Sequence, residues 1–432
     1  MSLWVLTALA VLLLAWSLVA GRVERLDVTG PIVFVAAGIA AAAGPVDELH
    51  VSLETGIVHE LAELTLVLVL FSDAVRVDPR DLRGHAGVPA RLLLIALPLV
   101  VAAGAGLAAV MFTDLPWQLA ALLAAILAPT DAALSAAVVA DRSLPLGIRR
   151  SLNVESGLND GLAAPLVTAL IAAAGVAIGA GEFADSASGP GWDAVLGLAG
   201  GVAVGVATGH LGGRAVIAAR DRGWTETGGE RVATLMVALL PFTVARSVGA
   251  NYFVAAFVAG LAYRGATRAN RDHTVELPEL LGQVLSLAVW FVVGATLVAG
   301  AVEVLDWRVV LYAACSLTVV RMAPVALALL GAGTDRATTV FLGWFGPRGL
   351  ASVIFALLVA EELPTDDPGI STVVSVVVVT VLASVVLHGV SGRPLSARMA
   401  ARAAEGEARP EHVIRTRHHY GLRRNTQPER PG

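Results

Sequence analysis

The sequence predicts an all-α polytopic membrane protein of about thirteen transmembrane helices, and three observations carry that expectation. The 432 residues are 56% hydrophobic and only 15% charged, with a mean hydropathy of +0.75; a water-soluble domain carries about 25% charge. Apolar runs near or above about 18 residues recur, separated by short loops that hold arginine or acidic residues. The alternating strands of about ten residues that an outer-membrane barrel needs do not occur in the pattern. An ordinary soluble enzyme is thereby excluded.

In chain order the spans are expected at 2–20, 30–44, 58–75, 88–112, 117–140, 148–176, 193–216, 231–248, 251–264, 279–300, 307–331, 337–361 and 369–391. The first resembles a secretory signal in length. It lacks the positive leading region, and Arg22 and Arg25 follow it instead, so it reads as a true span with its N-terminus outside. The loops test this orientation, because cytoplasmic loops collect basic residues. All 30 basic residues are arginine. Inward loops hold Arg22, Arg25, Arg76, Arg80, Arg83, Arg142, Arg149, Arg150, Arg220, Arg222, Arg268, Arg271 and Arg336. Outward loops hold Asp47, Glu48, Asp114, Glu182, Asp185, Glu303, Glu361, Asp366 and Asp367, with Arg246 as the one basic exception. An odd number of spans leaves residues 393–432 as a cytoplasmic tail, where nine arginines against four glutamates suit solvation or contact with anionic lipid; its Gly- and Pro-containing end reads as disordered.

The seventh span carries Gly197, Gly201, Gly205, Gly209 and Gly213 on one helical face. Such a face admits another helix closely, either within the monomer or at a subunit interface. The single cysteine, Cys315, lies in an apolar run and reads as a packing residue. His59 and Glu60 begin a segment, HELAE, without the second histidine of a zinc-protease helix, so no metal centre is expected there. His210 and His388 fall near span ends and receive no role.

Ionisable groups inside spans are costly and point to function. They are Asp73 in span three, Asp131 in span five, Glu155 and Asp160 in span six, and Arg348 in span twelve. In the stretch LNVESGLNDGLAAPL, Glu155 and Asn159 share one helical face, while Ser156 and Asp160 share the face about 100° away. Span five contains LAPTDAALSAA, with Pro129 ahead of Thr130 and Asp131; span twelve contains WFGPRGLASV, with Pro347 between Gly346 and Arg348. Proline frees a backbone carbonyl and glycine loosens a turn, so both helices are expected to break near mid-membrane. Two broken helices in separate parts of one chain point to an inverted-repeat transporter with its ion site at the breaks. Asp131 and Arg348 have the right signs to compensate the half-helix ends.

Arg348 is permanently charged, so burying it requires a carboxylate, and either Glu155 or Asp131 can serve. Asp160 is left without a fixed cation, so a proton and a small cation compete for it; with Ser156, Thr130 and exposed carbonyls it offers the oxygen ligands an alkali cation prefers. Asn159 also reads as an interhelical hydrogen-bond residue. Asp73, close to Arg76, reads equally as an interfacial residue or as part of the ion path.

NVESGLNDG, with APTD upstream and FGPRGLAS downstream, resembles the NhaP-type sodium/proton antiporters of the monovalent cation:proton antiporter superfamily, in the branch with Asn-Asp at its centre. The resemblance extends over most of residues 1–392 as a span pattern. It implies an inverted-repeat antiporter fold divided into a dimerisation part (1–87 and 193–300) and a transport bundle (88–176 and 307–392), working as a homodimer by elevator-like alternating access. It implies that Asp160 carries the ion or the proton, steadied by Asn159, with Thr130, Asp131 and Ser156 lining a transient alkali-cation site and Glu155 in a salt bridge to Arg348. The family often has proline after the Thr-Asp pair, where this chain has Ala132.

The function expected is electroneutral exchange of Na+ or Li+ for H+ across a prokaryotic plasma membrane, with no cofactor and no nucleic-acid partner. A K+/H+ antiporter of the same fold is the close alternative, and a cation channel or membrane sensor the distant one. No nucleophile and base constellation supports an enzyme.

Overall fold

A computed structural model describes residues 3–24, 28–44, 56–77, 87–180, 190–267 and 272–404. Among them every regular element is helical. The loop residues Arg25, Asp47, Glu48, Arg80, Arg83, Glu182, Asp185, Arg268 and Arg271, and the tail beyond 404, lie outside the described residues.

The chain opens with α1 (Leu3–Val23), α2 (Gly30–Ala43) and α3 (Gly56–Arg76). Then α4 (Gly87–Met111) loosens into a π-turn over Leu92–Ala96, immediately before Pro98. A widened turn accommodates a proline that cannot donate to the preceding turn. The fifth expected span is two half-helices, α5 (Trp117–Ile126) and α6 (Ala132–Ala140). The long α7 (Leu146–Ala177) follows, uninterrupted through Pro165.

Next come α8 (Pro190–Asp221), α9 (Thr227–Ser247), α10 (Tyr252–Thr267) and α11 (Asp272–Glu303). The eleventh expected span kinks at Thr318 between α12 (Trp307–Leu317) and α13 (Val319–Ala328). The twelfth is again broken, into α14 (Arg336–Trp344) and α15 (Leu350–Glu362), before the long α16 (Pro368–Ala404). The succession in α4–α7, a distorted helix, a broken pair and a long helix, therefore repeats in α12–α16.

Among the described residues eight segments, seven single helices and the kinked α12–α13 pair, are long and apolar enough to cross a membrane, and large apolar side chains such as Leu14, Leu18, Val110 and Leu196 stand exposed on them. Such surface belongs against lipid and not water. The chain is a multi-pass membrane protein. The two charged ends of the bundle are tied separately. Arg76 grips Glu279 with two bonds of 2.6 Å, Arg264 donates to the Val75 carbonyl, and Arg231 meets Glu276 at one end. At the other, Arg246 pairs with Glu63.

The glycine stripe of α8 is used inside the chain. A Cβ at Gly201, Gly205 or Gly209 would strike the backbone of Asn251, just ahead of α10, or of Ala255 or Ala259 on it, so only glycine allows this approach. The tail boundary expected at 393 falls within α16, which runs on to Ala404. Leu395 and Met399, four residues apart on one face, pack on the apolar cluster that includes Leu144, Leu152 and Phe341, and this burial carries the helix past Pro394.

Candidate functional site

The two broken helices cross, and the crossing is held by the backbone groups that the breaks set free. The Asp131 N–H donates to the Pro347 carbonyl at 2.8 Å, joining one break to the other. Every helix end leaves unpaired polar groups, and within a membrane these must find partners in the protein.

Asp131 caps two half-helices at once. Its Oδ1 accepts from the Ala133 and Leu134 N–H groups at the start of α6, and its Oδ2 accepts from Leu350 N–H at the start of α15 (2.7, 3.1 and 2.7 Å). An anion at two helix N-termini is well placed electrostatically. Gly349 has to be glycine, since a Cβ there would overlap the Asp131 carboxylate. At the opposite pole, Arg348 Nη1 donates to the Ala128 and Pro129 carbonyls at 2.7 and 3.1 Å, and Ser352 Oγ donates to Ile126 O, together closing the C-terminal end of α5. The C-terminal end of α14 is met by His388, whose Nε2 lies 2.8 Å from the Trp344 carbonyl, while Ser384 accepts from the Arg348 N–H at 2.7 Å. His388 is therefore buried at the break and not at a solvated span end.

The expected Glu155–Arg348 salt bridge is not the pair that forms. Glu155 meets Arg321 of α13 at 2.5 Å, with both side chains buried. Arg348 reaches across to the carbonyls that follow α5 instead, while Glu155 and Arg321 both remain near enough to act on it through space. The physical reason is the kink at Thr318, which turns Arg321 towards the break, where a Cβ on Gly346 would collide with its guanidinium. Arg321 was missed in the sequence, although a lone arginine in TVVRMAPVAL carries the same signal that singled out Arg348.

Asn159, Thr130 and Ser156 form one network. Asn159 Nδ2 donates to Thr130 Oγ1 at 2.6 Å and to Thr130 O at 3.2 Å, and the Thr130 and Ser156 hydroxyls lie 3.3 Å apart. Asp160, on the adjoining face of α7, is buried; its Oδ1 is enclosed without a hydrogen-bond partner, and no cationic side chain pairs with it among the described residues. Asp73 and Asp131 are the two carboxylates that bear on it electrostatically, so Asp73 belongs to this neighbourhood as well as to the end of α3. Gly157 and Gly161 let other helices close in. A Cβ on Gly161 would strike the Phe257 ring of α10, and one on Gly157 would lie 3.7 Å from the Asp73 carbonyl. Among the described residues no group of three or more His, Cys, Asp or Glu is arranged as a resident metal centre.

A family profile described as "Sodium/hydrogen exchanger, transmembrane" matches residues 8–398. The chain belongs to the sodium/hydrogen exchanger family. This exchanger-family chain shares its fold with the sodium proton antiporter MjNhaP1 from Methanocaldococcus jannaschii at pH 8, with a TM-score of 0.71 and 20% identity over 92% of this chain and 99% of that one. In sequence it is 29% identical over 262 residues to an uncharacterised Na+/H+ exchanger of Escherichia coli K12, YjcE, covering 58% of this chain and 44% of that protein. It is also 34% identical over 113 residues to the K+/H+ antiporter NhaP of Alkalimonas amylolytica, covering 26% and 20%. The matched stretches thus span less than half the length of either relative. Family and fold are those of membrane transporters and not of enzymes.

Proposed function

We propose that the chain exchanges Na+, or Li+, for H+ with one-to-one stoichiometry, by alternating access with Asp160 as the single carrier. The observation behind this reading is the contrast between Asp160 and its charged neighbours. Glu155, Arg321, Arg348 and Asp131 are each committed to an ion pair or a half-helix end, whereas Asp160 is buried without a fixed counter-charge. A buried bare carboxylate is expensive, so it crosses the low-dielectric barrier only when a proton or a cation occupies it. Occupation by one excludes the other, and that exclusion is the coupling.

Thr130, Ser156, Asn159 and Asp73 are assigned to the walls of the site, with the Thr130 and Ser156 oxygens as cation ligands. Asp131 has three of its acceptor positions taken by helix caps, so its contribution to a cation is mainly its charge. The chain is further assigned thirteen crossings, an outside N-terminus, a cytoplasmic C-terminus, a prokaryotic plasma membrane and a homodimeric state, with α1–α3 and α8–α11 as the static part and α4–α7 and α12–α16 as the moving one.

K+ is the second candidate cation, favoured by the name of the Alkalimonas relative. In proteoliposomes, Na+, Li+ and K+ offered separately against a pH gradient decide between them: Na+ and Li+ should dissipate it. An imposed membrane potential alone should drive no uptake, and a voltage-driven flux would refute the one-to-one stoichiometry.

A further inference from the structure

At the end of the bundle away from Arg76 lies a second group of charges that the site does not use. His59, in the first turn of α3, stands between two carboxylates: its Nδ1 is 2.6 Å from Glu361 Oε2 at the end of α15, and its Nε2 is 2.8 Å from Glu63 Oε1 one turn along α3. Carboxylate oxygens accept and do not donate when ionised, so both contacts attract only if both ring nitrogens carry hydrogen. Glu63 is 1% exposed. It also accepts from Arg246 Nη1 at 2.8 Å and from the Tyr252 hydroxyl. This pair accounts for Arg246, the lone basic exception among the outward loops. Glu361 has no other anchor among the described residues, since its Oε1 is buried without a partner.

From this cluster an apolar plug leads towards the ion site. Tyr252 packs on Phe253, Phe253 meets Phe355 edge-on, and Phe257 fills the space beside Gly161, next to Asp160. Phe253, Phe257 and Phe355 are all buried.

We propose that His59 holds a proton in a second site, distinct from Asp160, which latches α3 to the half-helix α15 and keeps the outer path shut. The inference rests on the alternating-access reading above. With the proton, His59 and Arg246 balance Glu63 and Glu361; without it, the group carries one net negative charge, and an imidazole lone pair faces a carboxylate. Glu60 and Glu362 are the other carboxyl groups nearby, and neither can supply a positive charge to replace the lost proton. His59 is 23% exposed at its side chain, so protons reach it from that face. Only a strongly alkaline outer pH, enough to take the proton from between two carboxylates, therefore releases α15 from α3 and favours opening.

The test uses the full-length chain with Cys315→Ser, its only cysteine removed. In one arm, His59→Cys and Glu361→Cys are joined by a short, reducible bifunctional thiol reagent. Exchange should fall at least about tenfold and return on reduction; full exchange while cross-linked would overturn the latch. In the other arm, His59→Gln and, separately, Glu361→Gln are assayed with inner pH fixed and outer pH varied. Each should raise exchange about fivefold at acidic outer pH, the scale of one partly exposed ion pair, and flatten the outer-pH profile while leaving the inner-pH profile in place. An unchanged outer-pH profile in both variants would overturn it. The Cys315→Ser parent separates the two claims: exchange by the parent with no effect at His59 defeats only the latch, and no cation/proton exchange by the parent defeats the functional reading and the latch with it.

Discussion

Glu155 and Arg321 face each other at 2.5 Å across α7 and α13, and this pairing frees Arg348 to close the end of α5. Two arginines and one glutamate thus share the crossing, with the backbone carbonyls of Ala128 and Pro129 doing part of a carboxylate's work for Arg348. Among the described residues, the division leaves Asp160 as a buried carboxylate beside the crossing with no hydrogen-bonded or ion-paired partner of its own.

Removing either member of the pair strands the other in a dry interior, at a cost of about 3–5 kcal/mol. Glu155→Ala and Arg321→Ala should each lower the midpoint of thermal unfolding in detergent sharply. The double replacement Glu155→Leu with Arg321→Met, which removes both charges and keeps the volume, should recover most of the loss. A double variant less stable than both single ones would contradict the pairing.

Asp131→Ala leaves three N–H groups of α6 and α15 without an acceptor, each worth about 1–3 kcal/mol when buried. Folded yield should fall steeply. Asp131→Asn keeps one amide oxygen and should lie between Ala and the wild type in the same unfolding assay, with cation affinity reduced through the lost charge.

Gly349→Ala drives a Cβ into the Asp131 carboxylate, and overpacking of this kind costs about 1–3 kcal/mol. Gly106, within α4, has nothing within 4 Å of the same addition; Gly106→Ala should stabilise by up to about 1 kcal/mol through helix propensity. Size-exclusion profiles after graded heating will rank the two.

Competition at one carboxylate fixes the sign of the pH effect. Protons displace the cation as pH falls, so on the acid side the apparent KM for the cation should rise about tenfold per pH unit, with the rate at saturating cation preserved. A KM independent of pH would exclude a shared site.

The broken helices were readable because Pro129, and Pro347 with Gly346 and Gly349, interrupt otherwise uniform runs, and backbone chemistry admits few alternatives there. The crossing's partners were only half readable. Asp131 and Arg348 have signs suited to half-helix ends, and the structure uses them that way. Which arginine meets Glu155 depends on a kink at Thr318 that no proline or glycine announces at that position. The glycine period of α8 announced a close helix contact but not its partner, because one bare face serves α10 or a second subunit equally well. The His59 group went unread since its members come from four separate helices, α3, α9, α10 and α15, and only folding brings them together.

The most direct test of the central claim, that Asp160 alone carries the ion and the proton, is cation-induced dissipation of a pH gradient in proteoliposomes holding wild type, Asp160→Ala or Asp160→Asn at matched folded protein. Wild type should dissipate the gradient on addition of Na+ or Li+, and both variants should leave it standing while keeping wild-type thermal stability or better, since each removes a buried unpaired charge. Full activity in Asp160→Ala would contradict the mechanism.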